Sequence, residues 1–193
     1  MKKHLITAFL MTIATTILLG VLYPLLITVV AQVLFKDKAN GQIRYRNGEA
    51  IGSRIIAQPF ASPKYFHPRP SAAGNNGYDA GNSGGTNFGP TNQKLIDRIQ
   101  ADAKTLHDEN PSQPIPVDLI TTSASGLDPE ITPAAAEFQI PRVARERGLP
   151  ESTIRDLVQK HTDQRDLGLL GEPRVNVFEL NLALDDLSGQ AQK

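Results

Sequence analysis

The stretch at residues 5–35 reads LITAFLMTIATTILLGVLYPLLITVVAQVLF, and it decides how the chain begins its fold. Its 31 residues include no Asp, Glu, Lys, Arg or His. A helix rises about 1.5 Å per residue, so this stretch would be about 46 Å long as a helix. A bilayer core is about 30 Å thick and needs only about 20 such residues. We therefore predict an N-terminal transmembrane anchor at residues 1–35, with the span at about residues 7–30.

Two other interpretations of this stretch were weighed. Lys2 and Lys3 form a basic start, and residues 29–31 resemble a signal-peptidase site. However, the apolar region of a signal peptide is about 7–15 residues long, which is much shorter. A buried helix of a soluble protein rarely continues this far without a charge. Within the span, Pro24 removes one backbone hydrogen bond and crowds the carbonyl of Gly20, so we expect a local disturbance there.

The orientation of the span does not follow from the charges that flank it. Lys2 and Lys3 precede the span, while several basic residues follow it within about 15 positions. The positive-inside count therefore does not favour a cytoplasmic N-terminus, but long domains translocate largely regardless of charge. We predict a single-pass chain with its N-terminus in the cytoplasm and residues 36–193 outside the membrane.

Residues 36–193 have the length of one compact domain. They carry 18 basic and 20 acidic side chains, and the whole chain has a net charge of zero, which argues against nucleic-acid binding. The chain has no Cys, so disulfide scaffolds, thiolate metal sites and cysteine nucleophiles are excluded. We predict an α+β fold in which a mixed α/β domain with a small sheet follows the anchor.

Hydrophobic spacing and capping residues predict the elements of this domain. A weak alternation with Gly48 predicts a hairpin at residues 41–58, with its firmest strand at 54–58. Amphipathic spacing predicts a helix at 92–107, capped by Thr91. Thr132-Pro133 opens a helix that Gly148 ends. We also predict strands at 117–121 and 175–180, a helix around 154–161 and a short helix at 182–187.

Residues 59–90 are too rich in turn-forming residues for regular structure. Eleven of these 32 residues are Pro or Gly, and four Asn are added. A loop of this length is usually either functional or disordered. Five aromatic side chains give it apolar surface to bury, which argues for order: Phe60, Tyr65, Phe66, Tyr78 and Phe88. We predict an ordered, irregular surface.

The motifs of common enzyme and metal sites are missing from the sequence. There is no P-loop, no G-x-G-x-x-G and no G-x-S-x-G, and the four histidines lack the spacing of metal ligands. The glycines at residues 82–87 could let backbone amides approach a phosphate, or could form a tight turn. Arg69, between Pro68 and Pro70, could bind a partner or bridge loop carbonyls. We predict no catalytic residues and no metal site.

Segments along nearly the whole chain occur in the order found in one membrane-protein family. The chain resembles the C-subunit family of the Kdp-type bacterial potassium-transporting P-type ATPase. The matching segments are Tyr23-Pro24-Leu25-Leu26, Gly52-Ser53, Ile56-Ala57-Gln58, Tyr65-Phe66-His67-Pro68-Arg69-Pro70-Ser71-Ala72, Ser83-Gly84-Gly85-Thr86-Asn87, Thr121-Thr122-Ser123-Ala124-Ser125-Gly126-Leu127-Asp128, Ile140-Pro141-Arg142-Val143-Ala144, Asn176-Val177 and Leu180-Asn181-Leu182-Ala183-Leu184-Asp185.

The resemblance implies a non-catalytic accessory subunit of a bacterial inner-membrane complex. Its expected partners are a channel-like potassium-binding subunit, an ATP-hydrolysing P-type subunit, a small single-span subunit and the lipid bilayer. Candidate partner-binding residues are Tyr65, Phe66, Arg69 and Ser71, and we expect the loop at 59–90 to cover a partner. The other function class left open is a stand-alone, membrane-anchored enzyme or ligand-binding domain.

The family is also described as a catalytic chaperone that raises the ATP affinity of the hydrolysing subunit. Ser83-Gly84-Gly85 resembles the signature loop of ABC transporters, although Asn82 replaces the expected Leu. Candidate nucleotide-binding or partner-binding residues are therefore Ser83, Gly84, Gly85, Thr86 and Asn87. If the domain lies outside the membrane, this loop cannot reach cytoplasmic ATP. We therefore expect no tightly bound cofactor, and ATP to act through the complex by coupling across the span.

Overall fold

The computed structural model describes residues 1–191 and divides the chain into two compact units, Met1–Ile43 and a second that begins at Arg44. The first unit is dominated by one continuous helix made of α1 (Lys2–Thr15), a π-helical segment (Thr16–Leu22) and α2 (Tyr23–Leu34). Among the described residues, this 33-residue helix is the one long and apolar enough to cross a membrane. None of its side chains is buried within the chain.

The predicted disturbance near Pro24 takes the form of the π-helical segment. The backbone N–H of Tyr23 donates to the carbonyl of Leu18, five residues back instead of four. Threonine side chains bond to carbonyls one turn earlier along the helix, so their hydroxyls are satisfied inside an apolar span. The Oγ1 atoms of Thr12 and Thr28, for example, donate to Ala8 and Pro24 at 2.9 and 2.8 Å.

A short turn closes the first unit after the long helix. The four-residue helix α3 (Lys36–Ala39) follows Phe35. The amide groups of Gln32 and Asn40 exchange hydrogen bonds at 3.2 and 3.3 Å, and Asn40 also donates to the carbonyl of Lys36 at 2.7 Å. These bonds fold the segment after the span back onto the last turn of α2.

The second unit combines two small sheets with four helices, which confirms the predicted α+β class. A two-stranded hairpin is formed by β1 (Ile43–Arg46) and β2 (Glu49–Ser53), joined by Asn47-Gly48 with positive φ at both residues. A three-stranded antiparallel sheet has the order β3 (Glu130–Ile131), β5 (Arg174–Asn176) and β4 (Thr162–Asp163). The helices are α4 (Gln93–Glu109), α5 (Pro133–Arg147), α6 (Glu151–Lys160) and α7 (Val177–Ala191).

Helix α5 is the centre of the hydrophobic core. The Thr132 hydroxyl accepts from the Ala135 N–H at 3.1 Å, and Gly148 ends the helix in the left-handed conformation, as predicted. Eight of its residues are buried. They pack with buried side chains from the neighbouring elements: Ile154 and Val158 of α6, Val175 of β5, Leu180 and Leu184 of α7, and Phe66 of the long loop.

The strand predicted at residues 54–58 is wrong. The hairpin lies earlier, and residues 54–58 form a turn and an irregular connection. The Ala57 N–H donates to the Leu127 carbonyl at 3.0 Å, and the Asn176 amide donates to the Arg54 carbonyl at 2.8 Å. Isolated contacts with distant segments therefore replace the strand ladder that the apolar residues suggested.

Two further strand predictions need correction. Residues 117–119 form a 3-10 helix, because the N–H groups of Leu119 and Ile120 bond to carbonyls three residues back. The strand predicted at 175–180 ends at Asn176, whose Oδ1 accepts from the Glu179 N–H at 3.1 Å and so caps α7. The predicted helix at 182–187 is the middle of α7.

Candidate functional site

The long loop at residues 59–90 has no regular secondary structure, as predicted, and is held by side chains from the helices. The Asn181 amide makes the first of these attachments. Its Oδ1 accepts from the Phe66 N–H and its Nδ2 donates to the Phe66 carbonyl, both at 2.9 Å. The Phe66 ring is fully buried in the core. It therefore packs inside the domain, where a partner cannot reach it, instead of facing a partner as we predicted.

Arg142 and Gln139 of α5 make the second attachment. The Gln139 Oε1 accepts from the His67 N–H at 2.8 Å and from Arg142 Nη2 at 2.6 Å. Arg142 also donates to the carbonyls of Pro63 and Tyr65, and its Nε donates to Glu109 at 2.8 Å. Only 6% of the Arg142 side chain is exposed. A buried charge of this kind is tolerated because its donors find partners.

Tyr65 occupies a half-buried position between two helices. Its ring lies 4.9 Å from the Arg147 guanidinium carbon, and its hydroxyl donates to Asp185 at 3.1 Å. Arg147 Nη2 donates to the same carboxylate at 2.9 Å. Burial and the hydrogen bond to Asp185 raise the pKa of Tyr65. The side chain is only partly buried, so part of it is available for contact with a partner.

Arg69 bridges the long loop to the segment at residues 121–128. Its Nη1 donates to Asp128 at 3.1 Å, and its Nη2 donates to the Thr121 hydroxyl and the Thr122 carbonyl at 3.4 Å. Arg69 therefore makes the loop-bridging contacts that are one of its two predicted roles. About a quarter of the side chain remains exposed, at the edge of a cleft that also includes Asp128.

Ser71 is a branching point for hydrogen bonds in the loop. Its hydroxyl donates to the Gly126 carbonyl at 2.5 Å and accepts from the N–H groups of Ala73 and Tyr78 at 3.1 and 2.8 Å. The Tyr78 hydroxyl donates to the Arg69 carbonyl at 2.9 Å, and burial raises the pKa of Tyr78 to about 12. Ser71 and Arg69 therefore shape the loop surface from within.

The glycine segment at residues 83–87 packs against the backbone of residues 124–126. The Gly84 N–H and the Ser83 hydroxyl both donate to the Ser125 carbonyl, at 2.8 and 2.9 Å. A Cβ atom at Gly85 would lie 2.9 Å from the Ala124 carbonyl oxygen. The close approach accounts for glycine at position 85, but residues 83–89 form no turn, so the tight turn predicted as one alternative is wrong. No helix begins at this segment, and Thr86 and Asn87 continue it as irregular chain.

His67 lies between two shallow cavities of about 240 Å³ each. Its Nε2 is 3.2 Å from the Ser62 carbonyl oxygen. Burial, followed by the positive charge of Arg142, lowers the pKa of His67. The imidazole is therefore neutral at pH 7 and serves the packing of the loop. Within residues 1–191, no group of three His, Asp or Glu side chains is arranged to hold a metal ion.

The buried polar side chains that organise this site are not evident as functional residues in the sequence. Arg142, Gln139 and Asn181 were assigned only to helices or matching segments, although each is at most 6% exposed. Their signal is a polar residue placed on the apolar face of a helix, next to buried alanine, leucine or isoleucine. The arrangement that results is a rigid and irregular surface with paired charges, which is suited to contact another macromolecule.

Comparison with known proteins identifies the family to which this chain belongs. A family model described as KdpC, K+-transporting ATPase, c chain, matches residues 5–186. A potassium-transporting ATPase KdpC subunit of Koribacter versatilis is 69% identical over 96% of this chain and 95% of its own length. Those of Methylobacterium nodulans and Rhodopseudomonas palustris are 49% and 51% identical, and the alignments cover 98% and 96% of this chain and 100% and 98% of theirs. The chain therefore belongs to the KdpC family of potassium-transporting ATPase subunits.

Proposed function

We propose that the chain is a membrane-anchored accessory subunit of an ATP-driven potassium uptake complex, needed for its assembly and stability. Family membership is the observation that carries this proposal. The lone apolar helix Lys2–Leu34 supports membrane anchoring. The irregular surface at residues 59–90, fixed by buried polar side chains, supports a binding role. The proposed partners are a channel-like potassium-binding subunit, an ATP-hydrolysing subunit and a small single-span subunit.

We propose that the N-terminus lies in the cytoplasm and the second unit outside the inner membrane. The apolar helix has the length needed to place its two ends on opposite sides of a bilayer. In this orientation, Tyr65, Arg69 and Ser71 would face or shape the surface presented to the potassium-binding subunit. Tyr65 would do so through the exposed part of its side chain, and Arg69 and Ser71 through the loop that they hold.

We propose that any effect on ATP affinity reaches the hydrolysing subunit through the span. The segment Ser83-Gly84-Gly85 is bonded to residues 124–126, and these contacts already use the Gly84 N–H. This favours a structural role for the glycines over direct phosphate binding. Allosteric coupling between two sites is commonly worth about 1–3 kcal/mol, which corresponds to roughly 5- to 150-fold in affinity.

The test is to purify the complex from membranes with and without this subunit. Without it, we expect the remaining subunits to be recovered in lower yield and potassium-stimulated ATP hydrolysis to be lost. Where residual complex can be isolated, the KM for ATP should rise by about tenfold. Full assembly and transport in the absence of this chain would overturn the proposal.

A matched control separates transmission through the span from direct nucleotide contact. The substitution N87G removes an exposed side chain of the glycine segment, and glycine tolerates the positive φ of 53° at this position. It should leave the KM for ATP unchanged. A rise in KM equal to that caused by removing the whole subunit would instead support direct binding at residues 83–87.

A further inference from the structure

An exposed leucine loop stands out from the rest of the second unit. Leu167, Leu169 and Leu170 are 91, 81 and 62% exposed, and they lie within four consecutive residues. Other large apolar side chains exposed in this unit, such as Ile55, Phe88 and Val117, are far apart in the sequence. Single exposed apolar residues are ordinary, but a cluster of them commonly marks an interaction surface. We define residues 165–172 as the leucine loop.

The leucine loop is held in one conformation by its own hydrogen bonds. The N–H groups of Asp166 and Leu170 donate to each other's carbonyls at 2.8 and 2.9 Å, and Arg165 forms an ion pair with Glu172 at the base. Leu167 has a φ of +55°, a conformation that leucine rarely adopts. Such conformations persist where surrounding structure enforces them, and they cluster at functional sites. The loop is therefore preorganised, which lowers the entropic cost of binding.

An acidic cleft of about 420 Å³ adjoins this loop and shares Glu172 with it. Four carboxylates line the cleft, together with two arginines that are each paired with one of them. Glu172 is in turn paired with Arg165 of the leucine loop. Loop and cleft together hold five carboxylates, including Asp166, and three arginines, so this surface has an excess of negative charge. The carboxylates of the cleft are Asp118, Asp128, Glu130 and Glu172.

We propose that the leucine loop and the adjoining cleft dock a protein partner that offers an apolar hollow beside a Lys or Arg side chain. This inference rests on the proposed function, since it assigns the partner surface within the same complex. Leu167 and Leu169 fill the hollow, and the partner's cation enters the acidic cleft. Charge complementarity selects this occupant. A bilayer surface with anionic lipids is disfavoured by the net negative charge of the loop and cleft, because the one arginine of the leucine loop is already paired with Glu172.

The first test places a photo-crosslinking amino acid at position 169 of the full chain, within the complex in native membranes. Position 45 is the control, because Tyr45 is 65% exposed but lies outside both the leucine loop and the cleft. We expect adducts with a subunit of the ATPase to form at least fivefold more at position 169. Adducts with lipid alone, or equal yields at both positions, would overturn the inference.

The second test removes the apolar side chains without breaking the loop. In the double variant L167N/L169S, asparagine tolerates the left-handed conformation of position 167. Retention in the complex through a detergent wash should fall at least tenfold. The Y45S variant should be retained like wild type. Unchanged thermal unfolding of L167N/L169S would show that its fold is intact. E172K should reduce retention more than E172Q. Equal retention of the two variants would show that no cation of the partner enters the cleft.

The outcomes separate this inference from the proposed function. If the wild-type chain does not co-purify with the ATPase subunits, the accessory role fails and this inference fails with it. If the wild-type chain co-purifies and the folded L167N/L169S variant does so equally well, only the leucine-loop inference fails.

Discussion

At the scale of single residues, Arg142 joins the long loop to two helices through one buried guanidinium. It contacts Glu109, Gln139 and two loop carbonyls. We expect R142M to lower the free energy of unfolding by about 3 kcal/mol, because removing one partner leaves a carboxylate and other polar groups unpaired. Chemical denaturation of the full chain in detergent would measure this loss.

The matched control for Arg142 is Arg155, which pairs with Glu137 at 2.6 Å on the surface. Its side chain is 40% exposed, compared with 6% for Arg142. Solvent screens an exposed ion pair, so R155M should lower the free energy of unfolding much less than R142M. Equal losses in the two variants would contradict the role assigned to the buried network.

Gly126 combines a left-handed backbone with a close approach to the glycine segment. Its φ is +67°, and an added Cβ would lie 2.6 Å from the Gly84 carbonyl oxygen and 2.7 Å from the Ala73 nitrogen. We expect G126A to lower the free energy of unfolding by at least about 2 kcal/mol, because both the backbone and the contacting loop must shift.

The substitution G148A isolates the backbone contribution to this effect. Gly148 has nearly the same φ, +65°, but an added Cβ would meet nothing within 4 Å. G148A should therefore lower the free energy of unfolding by about 1 kcal/mol, from the left-handed conformation alone. If thermal unfolding gives the same loss for both variants, the close approach at Gly126 contributes nothing.

His67 should make the stability of the loop dependent on pH. Burial and Arg142 lower its pKa below the ordinary value of about 6.5, so the unfolded chain binds the proton more readily. The free energy of unfolding that neutral His67 contributes is fully present above this ordinary pKa. It is lost as the pH falls towards and through the lower pKa of the folded state. We expect unfolding experiments to show falling stability on acidification below about pH 6.5.

The variant H67Q tests this assignment, since its amide can still donate to the Ser62 carbonyl but does not titrate. It should lose part of the acid sensitivity that wild type shows. The exposed His107 gives a control, and H107Q should follow the wild-type profile. A wild-type pH profile in H67Q would mean that other groups cause the acid sensitivity.

At the scale of elements, local signals predicted helices better than strands. Thr132 and Gly148 bracket α5 as expected, because a capping hydroxyl and a left-handed glycine act within one turn of the helix. The start of α4 shifted by one residue, as Asn92 caps it in place of Thr91. The helix predicted around 154–161 is also confirmed, since α6 covers most of it.

The sheet and the loop attachments could not be predicted because their partners are distant in the sequence. Strands β3 and β4 contain two residues each, which is too short for any alternation to be visible. Apolar residues at 54–58 and 117–121 therefore suggested strands where no pairing partner exists. The contact between Phe66 and Asn181 joins positions 115 residues apart, so only the folded chain reveals it.

Helix α4 should be the least stable helix of the second unit. It contains no buried residue, whereas α5 has eight. Regions with few buried contacts open at lower free-energy cost. We expect the central amides of α4 to exchange hydrogen at least about tenfold faster than those of α5, as measured by mass spectrometry. Equal protection would indicate that α4 opens together with the core.

At the scale of the whole molecule, the chain joins an apolar helix to a domain in which charges of both signs are balanced and many form ion pairs. The helix exposes its side chains along its full length, so it needs lipid or other helices around it. The domain has no net charge large enough to direct its placement. The charge therefore does not determine on which side of the membrane the domain lies. That side determines whether residues 83–87 can contact cytoplasmic ATP.

The absence of Cys from the sequence allows a direct test of sidedness with single-cysteine variants. We expect S152C, at an exposed position of α6, to react with a membrane-impermeant maleimide in spheroplasts whose inner membrane is intact. K2C, at the other end of the apolar helix, should react only after the membrane is permeabilised. A helix of 33 residues separates the two ends by more than the thickness of a bilayer core.

The opposite labelling pattern would place the domain in the cytoplasm: S152C would react only after permeabilisation, and K2C would react without it. Ser83–Asn87 could then reach ATP, and coupling through the span would no longer be needed.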